Sequence, residues 1–136
     1  MGIGVGLAGV GKAVVLLSSG AAQLSLGELA TAMETQSDLV FILMNDRGYG
    51  VIRNIQDAQY GGRHDYANIL TPDFSLVCQA IGLPHQRLSG SEDFAALLDA
   101  ALALPGPRMI EVDMLAISPF AERFAGPPVG ASGRVR

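Results

Sequence analysis

An α/β fold, a three-layer sandwich with a mostly parallel sheet and helices on both faces, is what this 136-residue sequence predicts. Three observations carry the prediction. Short, continuously apolar segments of strand length recur along the chain, as strands buried on both faces require. Stretches of helical periodicity lie between them, so the order reads strand–helix–strand–helix, a loop, then helix–strand–helix–strand. Hydrophobic residues make up 49% of the chain and charged residues 16%, enough to build one core and too apolar for disorder.

The elements follow in order. "KAVVLLS" (12–18) is β-branched, short and apolar throughout, a strand expected to be buried on both faces. "LSLGELATAMETQ" places Leu24, Leu26, Leu29, Ala30 and Met33 on one helical face, with Ser25 and Glu28 spaced as a capping box. "DLVFILMN" is a second buried strand and ends at the turn "NDRGYG". "VIRNIQDAQ" reads as a short helix, and residues 57–70 read as a polar loop. "TPDFSLVCQAIG" is a helix with Thr71 as N-cap, Pro72 in its first turn and Gly82 as its stop. "PHQRLSG" is a short strand, "SEDFAALLDAALAL" a helix capped by Ser91, and "PRMIEVDML" the last strand. Residues 1–117 form the domain, and the Pro-, Gly- and Arg-rich residues 118–136 form an extended tail.

Composition removes several function classes. The net charge of −4 offers no basic stripe to neutralise a nucleic-acid backbone. A membrane span needs about 20 consecutive apolar residues; the runs "AVVLL" and "LVFILM" are strand-sized. The apolar stretch Ala13 to Leu17 is too short for a secretory signal, so a cytoplasmic protein is expected. Cys78, the single cysteine, excludes an intrachain disulfide and reads as a buried helical thiol. "GVGLAG" (4–9) matches a dinucleotide-binding glycine pattern literally, but that pattern needs a strand before it, and here the strand follows. "GIGVGLAG" instead resembles the buried end of a helix whose small residues pack closely on a sheet.

Open parallel sheets bind ligands in the crevice outside the carboxyl ends of their strands. Two segments stand at that edge, "SSG" after the first strand and "NDRGYG" after the second. One helix and one strand separate Ser19 from Asp46, so the two segments can lie side by side. Asp46 is a hard oxygen ligand of the kind Mg²⁺ prefers. Gly48 and Gly50 admit close backbone approach to a phosphate, and Tyr49 between them can pack or donate a hydrogen bond. Plain turn chemistry accounts for the same residues, so spacing alone leaves both readings open.

"LLSSGAAQLSLGELATAMETQSDLVFILMNDRGYGVIRNIQ" resembles the core of the C-terminal, diphosphate-binding domain of thiamine-diphosphate enzymes of the acetolactate synthase and benzoylformate decarboxylase type. "GELATA" and "MNDRGYGVIR" carry the likeness most closely, and "TPDFSLVCQAIGL" and "PRMIEVDM" match the later helix and closing strand. The resemblance extends over residues 2–124 and implies thiamine diphosphate and Mg²⁺ as cofactors. In that family the Asp of a Gly-Asp-Gly motif, the second Asn of Asn-Asn and a backbone carbonyl two residues on hold the metal. The corresponding positions here are Ser19, Asp46 and the Gly48 carbonyl. Ser18 and Gly20 take the flanking glycine positions and Asn45 that of the first Asn. Ala21, Tyr49, Gly50 and Val51 complete the cofactor-binding set. Two departures stand out: Ser19 replaces the carboxylate ligand, and Asp46 replaces an amide by a carboxylate, so the single negative charge has moved across the site.

The resemblance further implies a pyrimidine-binding partner domain or subunit, which supplies the glutamate that activates the cofactor, and a domain shortened on its N-terminal side. This chain is therefore expected to be inactive alone, to expose apolar surface and to self-associate as a homo-oligomer. Its catalytic residues are not identifiable. Arg47, Arg53 and Arg63 are candidates for a phosphate or carboxylate contact or are solvated charges. His64 is a candidate proton carrier or an exposed loop residue, and His85 reads as structural. Glu28 reads as a capping or core-facing residue. Two other readings remain: a non-catalytic relative that keeps the fold for assembly, and a flavodoxin-like nucleotide-binding module.

Overall fold

A computed structural model describes residues 1–90 and 93–117; the expected tail 118–136 and the Ser91 cap lie outside the described residues. Four parallel strands, β1 (Ala13–Ser18), β2 (Leu39–Asn45), β3 (His85–Leu88) and β4 (Arg108–Asp113), form one sheet in the order β1-β2-β4-β3. Around it lie α1 (Gly2–Leu7), α2 (Ser19–Leu24), α3 (Leu26–Thr35), α4 (Gly50–Tyr60), α5 (Phe74–Ile81), α6 (Phe94–Ala103) and α7 (Met114–Ile117). The chain is thus α/β with helices on both faces of a parallel sheet.

Alternation along β2 builds the two cores. Leu39, Phe41 and Leu43 turn to one face, where Leu29 and Ala32 of α3 and Phe74 and Cys78 of α5 meet them. Val40 and Ile42 turn to the other, against Ala101, Leu97 and Leu98 of α6 and Met114 of α7. Leu39, Leu43 and Phe74 are fully buried, each worth about 1.5–3 kcal/mol. Strand β1 departs from expectation. It lies at the sheet edge, and the main strand contacts of α6 and α7 are with β2 and β4. Val14 and Leu16 are consequently 50% and 70% exposed, so β1 is buried on one face and not on both.

Helix boundaries follow local chemistry. Glycines bring α1 against the sheet: a Cβ on Gly2 would overlap the Val15 side chain, and one on Gly6 would lie 3.0 Å from the Asp38 carbonyl oxygen. No residue of α1 is buried, contrary to the expectation from its composition. Ser25 caps nothing, because the chain is already helical before it; its Oγ donates to the Ala21 carbonyl at 3.1 Å. Glu28 is exposed, facing neither cap nor core. α4 runs on to Tyr60, into the expected loop, and ends at Gly61 with φ +61°. Asp73, not Thr71, caps α5 by accepting from the Ser75 amide at 2.9 Å, so Pro72 lies before the helix. Gly82 ends α5 as expected, with φ +73°. Asp93 caps α6, accepting from the Ala95 and Ala96 amides.

Candidate functional site

The carboxyl ends of β1 and β2 are neighbours, with Ser18 opposite Met44 in the parallel register. Ser18 closes the strand and opens a helix in one step: its Oγ accepts from the Ala21 amide at 3.3 Å. "SSG" is therefore a strand-to-helix junction and not a turn. Ser19 follows on α2, fully buried, and its Oγ donates to Asp46 Oδ1 at 2.9 Å. Gly20 is buried beside the Tyr49 ring, which a Cβ at that position would strike. The two segments that the sequence placed apart thus meet through Ser19–Asp46 and Gly20–Tyr49. Ala21 and Val51, on α2 and α4, are exposed at this edge.

Asn45 and Asp46 fold the segment between β2 and α4 through their side chains. Asn45 Oδ1 accepts from the Arg47 amide at 3.1 Å, and Asp46 Oδ1 from the Gly48 amide at 3.3 Å, two successive Asx-type bonds. Asp46 Oδ2 accepts from the Gly50 amide at 2.7 Å, the first residue of α4. A Cβ on Gly50 would collide with that same carboxylate oxygen, so a larger residue there has to displace the Asp46 side chain. The turn carries Arg47 at φ +56°, the left-handed region unfavourable to a side chain. The Tyr49 amide donates to the Ala67 carbonyl at 3.0 Å, returning the segment after α4 to the site. Arg53 Nη2 donates to the Asp46 carbonyl at 3.1 Å and stands 3.9 Å from Oδ2.

Behind this edge lies a buried polar cluster that the sequence reading missed. Glu111 of β4 is fully buried. Its Oε1 accepts from Asn45 Nδ2 at 2.7 Å and Arg87 Nη2 at 3.0 Å, and its Oε2 pairs with His85 Nε2 at 2.8 Å. Burial pushes the carboxyl up, but hydrogen bonds from His85 and Asn45 and the charge of Arg87 outweigh it, so the pKa is lowered. Asp113, at the end of β4, takes Arg47 Nη2 at 3.0 Å. The available signal was a glutamate inside the apolar run "MIEV", a position that an ionised group occupies only when paired.

The remaining candidates lie elsewhere. His64 pairs with Asp57 at 2.6 Å, on the outer side of α4, and Arg63 is exposed. His85 is structural as read, committed to Glu111. Burial, with the nearby charge of Glu111, pushes the Cys78 thiol up to about 11, so it stays protonated and unreactive near neutrality.

Ser19 Oγ and the Asp46 carboxylate form an oxygen-only donor pair, which fits Mg²⁺ in kind. It offers a single carboxylate, and hydrogen bonds from Ser19, Gly48 and Gly50 already engage both of its oxygens. Among the described residues there is no group of three or more His, Cys, Asp or Glu side chains that could hold a metal. The same residues include no helix long and apolar enough to cross a membrane.

Comparison with known proteins agrees with the fold. The acetolactate synthase large subunit of Pyropia yezoensis is 27% identical over 112 residues, covering 80% of this chain and 19% of that protein. The 2-succinyl-5-enolpyruvyl-6-hydroxy-3-cyclohexene-1-carboxylate synthase of Synechococcus sp. (strain JA-3-3Ab) is 34% identical over 88 residues, covering 63% of this chain and 15% of that protein. The chain thus spans about a fifth of the length of such relatives. In fold it is similar to a thiamine diphosphate-dependent 4-hydroxybenzoylformate decarboxylase from Rhodococcus jostii RHA1, with a TM-score of 0.74 and 24% identity. That likeness covers 83% of this chain and 22% of the decarboxylase. Residues 1–112 match the family model of the thiamine pyrophosphate enzyme, C-terminal TPP binding domain, and the chain belongs to that family.

Proposed function

We propose that this chain holds the diphosphate end of thiamine diphosphate at the carboxyl ends of β1 and β2, as one domain of an enzyme acting on 2-oxo acids. The observation that carries this reading is the Ser19–Asp46 hydrogen bond, which joins the family's two cofactor segments into one site. Ser18, Ser19, Gly20 and Ala21 line it from one side, and Asn45, Asp46, Gly48, Tyr49, Gly50 and Val51 from the other. Mg²⁺ would be held by Ser19 Oγ, the Asp46 carboxylate and the Gly48 carbonyl. Thiamine diphosphate held there would supply the nucleophilic carbon that decarboxylation of a 2-oxo acid requires. The chain's own part is to hold and orient the diphosphate and the metal.

Activation of the cofactor needs a pyrimidine-binding domain or subunit, so this chain is inactive alone and works in a cytoplasmic oligomer. The second reading, a non-catalytic relative kept for assembly, is favoured by one feature: serine stands where the family places its carboxylate ligand.

Calorimetric titration with thiamine diphosphate and Mg²⁺, wild type against Ser19→Asp, separates the two. Weak wild-type binding that tightens about tenfold or more in Ser19→Asp supports the cofactor site. Equal affinities remove any role for the substitution. Absence of binding in both leaves the assembly reading.

A further inference from the structure

Glu111 and Asn45 form a chain of polar contacts that ends on the cofactor segment. A carboxylate accepts hydrogen bonds and donates none, so the Asn45 amide must turn Nδ2 toward Glu111 Oε1, at 2.7 Å. That leaves Oδ1 facing the Arg47 amide, from which it accepts at 3.1 Å. Arg47 occupies the left-handed region at φ +56°, and its guanidinium is tied to Asp113 at 3.0 Å. Its strained backbone is therefore held from two directions, and both anchors start on β4.

We infer that Glu111 is a positioning residue: through Asn45 it sets the turn that carries Asp46 and the Gly48 carbonyl. The inference rests on the reading of that turn as the diphosphate site. Stability alone gives a weak reason for the cluster, because a well-packed apolar group often serves as well as a buried ion pair. Glu111 also has a second arm, to His85 and, through Arg87, toward Asp73 at the start of α5, 3.7 Å from Arg87. Only the Asn45 arm reaches the cofactor edge. Glu111→Gln keeps the volume of the side chain and removes the polarity rule: an amide at 111 can turn either its oxygen or its NH₂ toward Asn45, so the orientation of the Asn45 amide is no longer fixed. Asn45→Ala cuts the same arm while leaving the buried carboxylate paired with His85 and Arg87.

The test uses the full chain with two readouts, amide exchange at Arg47 by NMR without cofactor, and calorimetric titration with thiamine diphosphate and Mg²⁺. Asn45→Ala and Glu111→Gln are expected to speed Arg47 exchange and to weaken cofactor affinity, each by about tenfold. Met33→Ala, a core change in the last turn of α3, is expected to lower the melting temperature and leave both readouts unchanged. Arg47 exchange unchanged in Glu111→Gln, or raised equally by Met33→Ala, overturns the inference. Should wild type take up no thiamine diphosphate, the proposed function fails by itself, and the exchange rates still decide whether Glu111 sets the turn. If Glu111→Gln does not fold, Glu111→Met, which leaves Asn45 in place without its carboxylate acceptor, gives the same decision.

Discussion

Ser19 and Asp46 share a single proton donor and a single negative charge, and that pairing decides how the site responds to substitution. An aspartate at 19 would set a second carboxylate about 3 Å from the first, where like charges cannot both ionise at low cost. Without Mg²⁺, Ser19→Asp is therefore expected to lower the melting temperature by several degrees; with Mg²⁺ the loss should be restored. Differential scanning fluorimetry with and without the metal checks this, and the absence of a metal-dependent difference would count against ligation at 19. Glu111 gives a second expectation at this scale. Its folded pKa lies below the ordinary 4.5, so its ionised form favours the folded state above about that value, and this contribution fades as pH falls through the folded pKa. Urea unfolding of Glu111→Gln should accordingly show less stability lost between neutral pH and pH 4 than wild type does. The turn made by Asp46, Gly48, Tyr49 and Gly50 was legible in the sequence because its bonds close within one short segment. The orientation of Asn45 was not, because its partner Glu111 lies 66 residues away and only the sheet brings them together.

Elements were most legible where burial is two-sided. β2 reads as a buried strand and is one, since cores lie on both its faces. β1 has the same apolar composition and a different fate, because strand order, which a single segment does not encode, puts it at the edge. α2 was missed for another reason: six residues are too few to show periodicity, and short helices form through context more than propensity. Ser18 was the available signal, a capping residue read as part of a turn. α4 depends in a similar way on Asp46, which accepts from its first amide at 2.7 Å. Gly50→Ala puts a methyl group onto that carboxylate oxygen, and the amide–carboxylate bond and the Ser19 contact must shift together. The expected cost is about 1–3 kcal/mol, measured by urea unfolding, with weaker thiamine diphosphate binding in parallel. Full stability together with unchanged binding would show that Asp46 does not hold the start of α4.

At the scale of the whole molecule the open surface is the feature with most consequence. Val14 and Leu16 on β1 are 50% and 70% exposed, and Leu24 and Leu70 near the cofactor edge are 84% and 91% exposed. Strand β1, "AVVLLS", carries no charge and no proline, the devices by which edge strands avoid pairing with other chains. Exposed apolar area of this kind marks an interaction surface or an aggregation hazard. Self-association is therefore expected, with light scattering giving a mass above the 14.2 kDa of one chain. The β1 face and the cofactor edge are separable as causes. Leu16→Lys places a charge on the open face, opposite to the Ala13, Val15 and Leu17 side that packs into the core, so it should reduce the mass without lowering the melting temperature. Leu70→Lys tests the cofactor edge in the same way. A reduced mass in Leu16→Lys alone assigns association to β1, and one in Leu70→Lys alone assigns it to the cofactor edge. A monomeric wild type removes the premise, since the exposed apolar strand would then be tolerated in water without a partner.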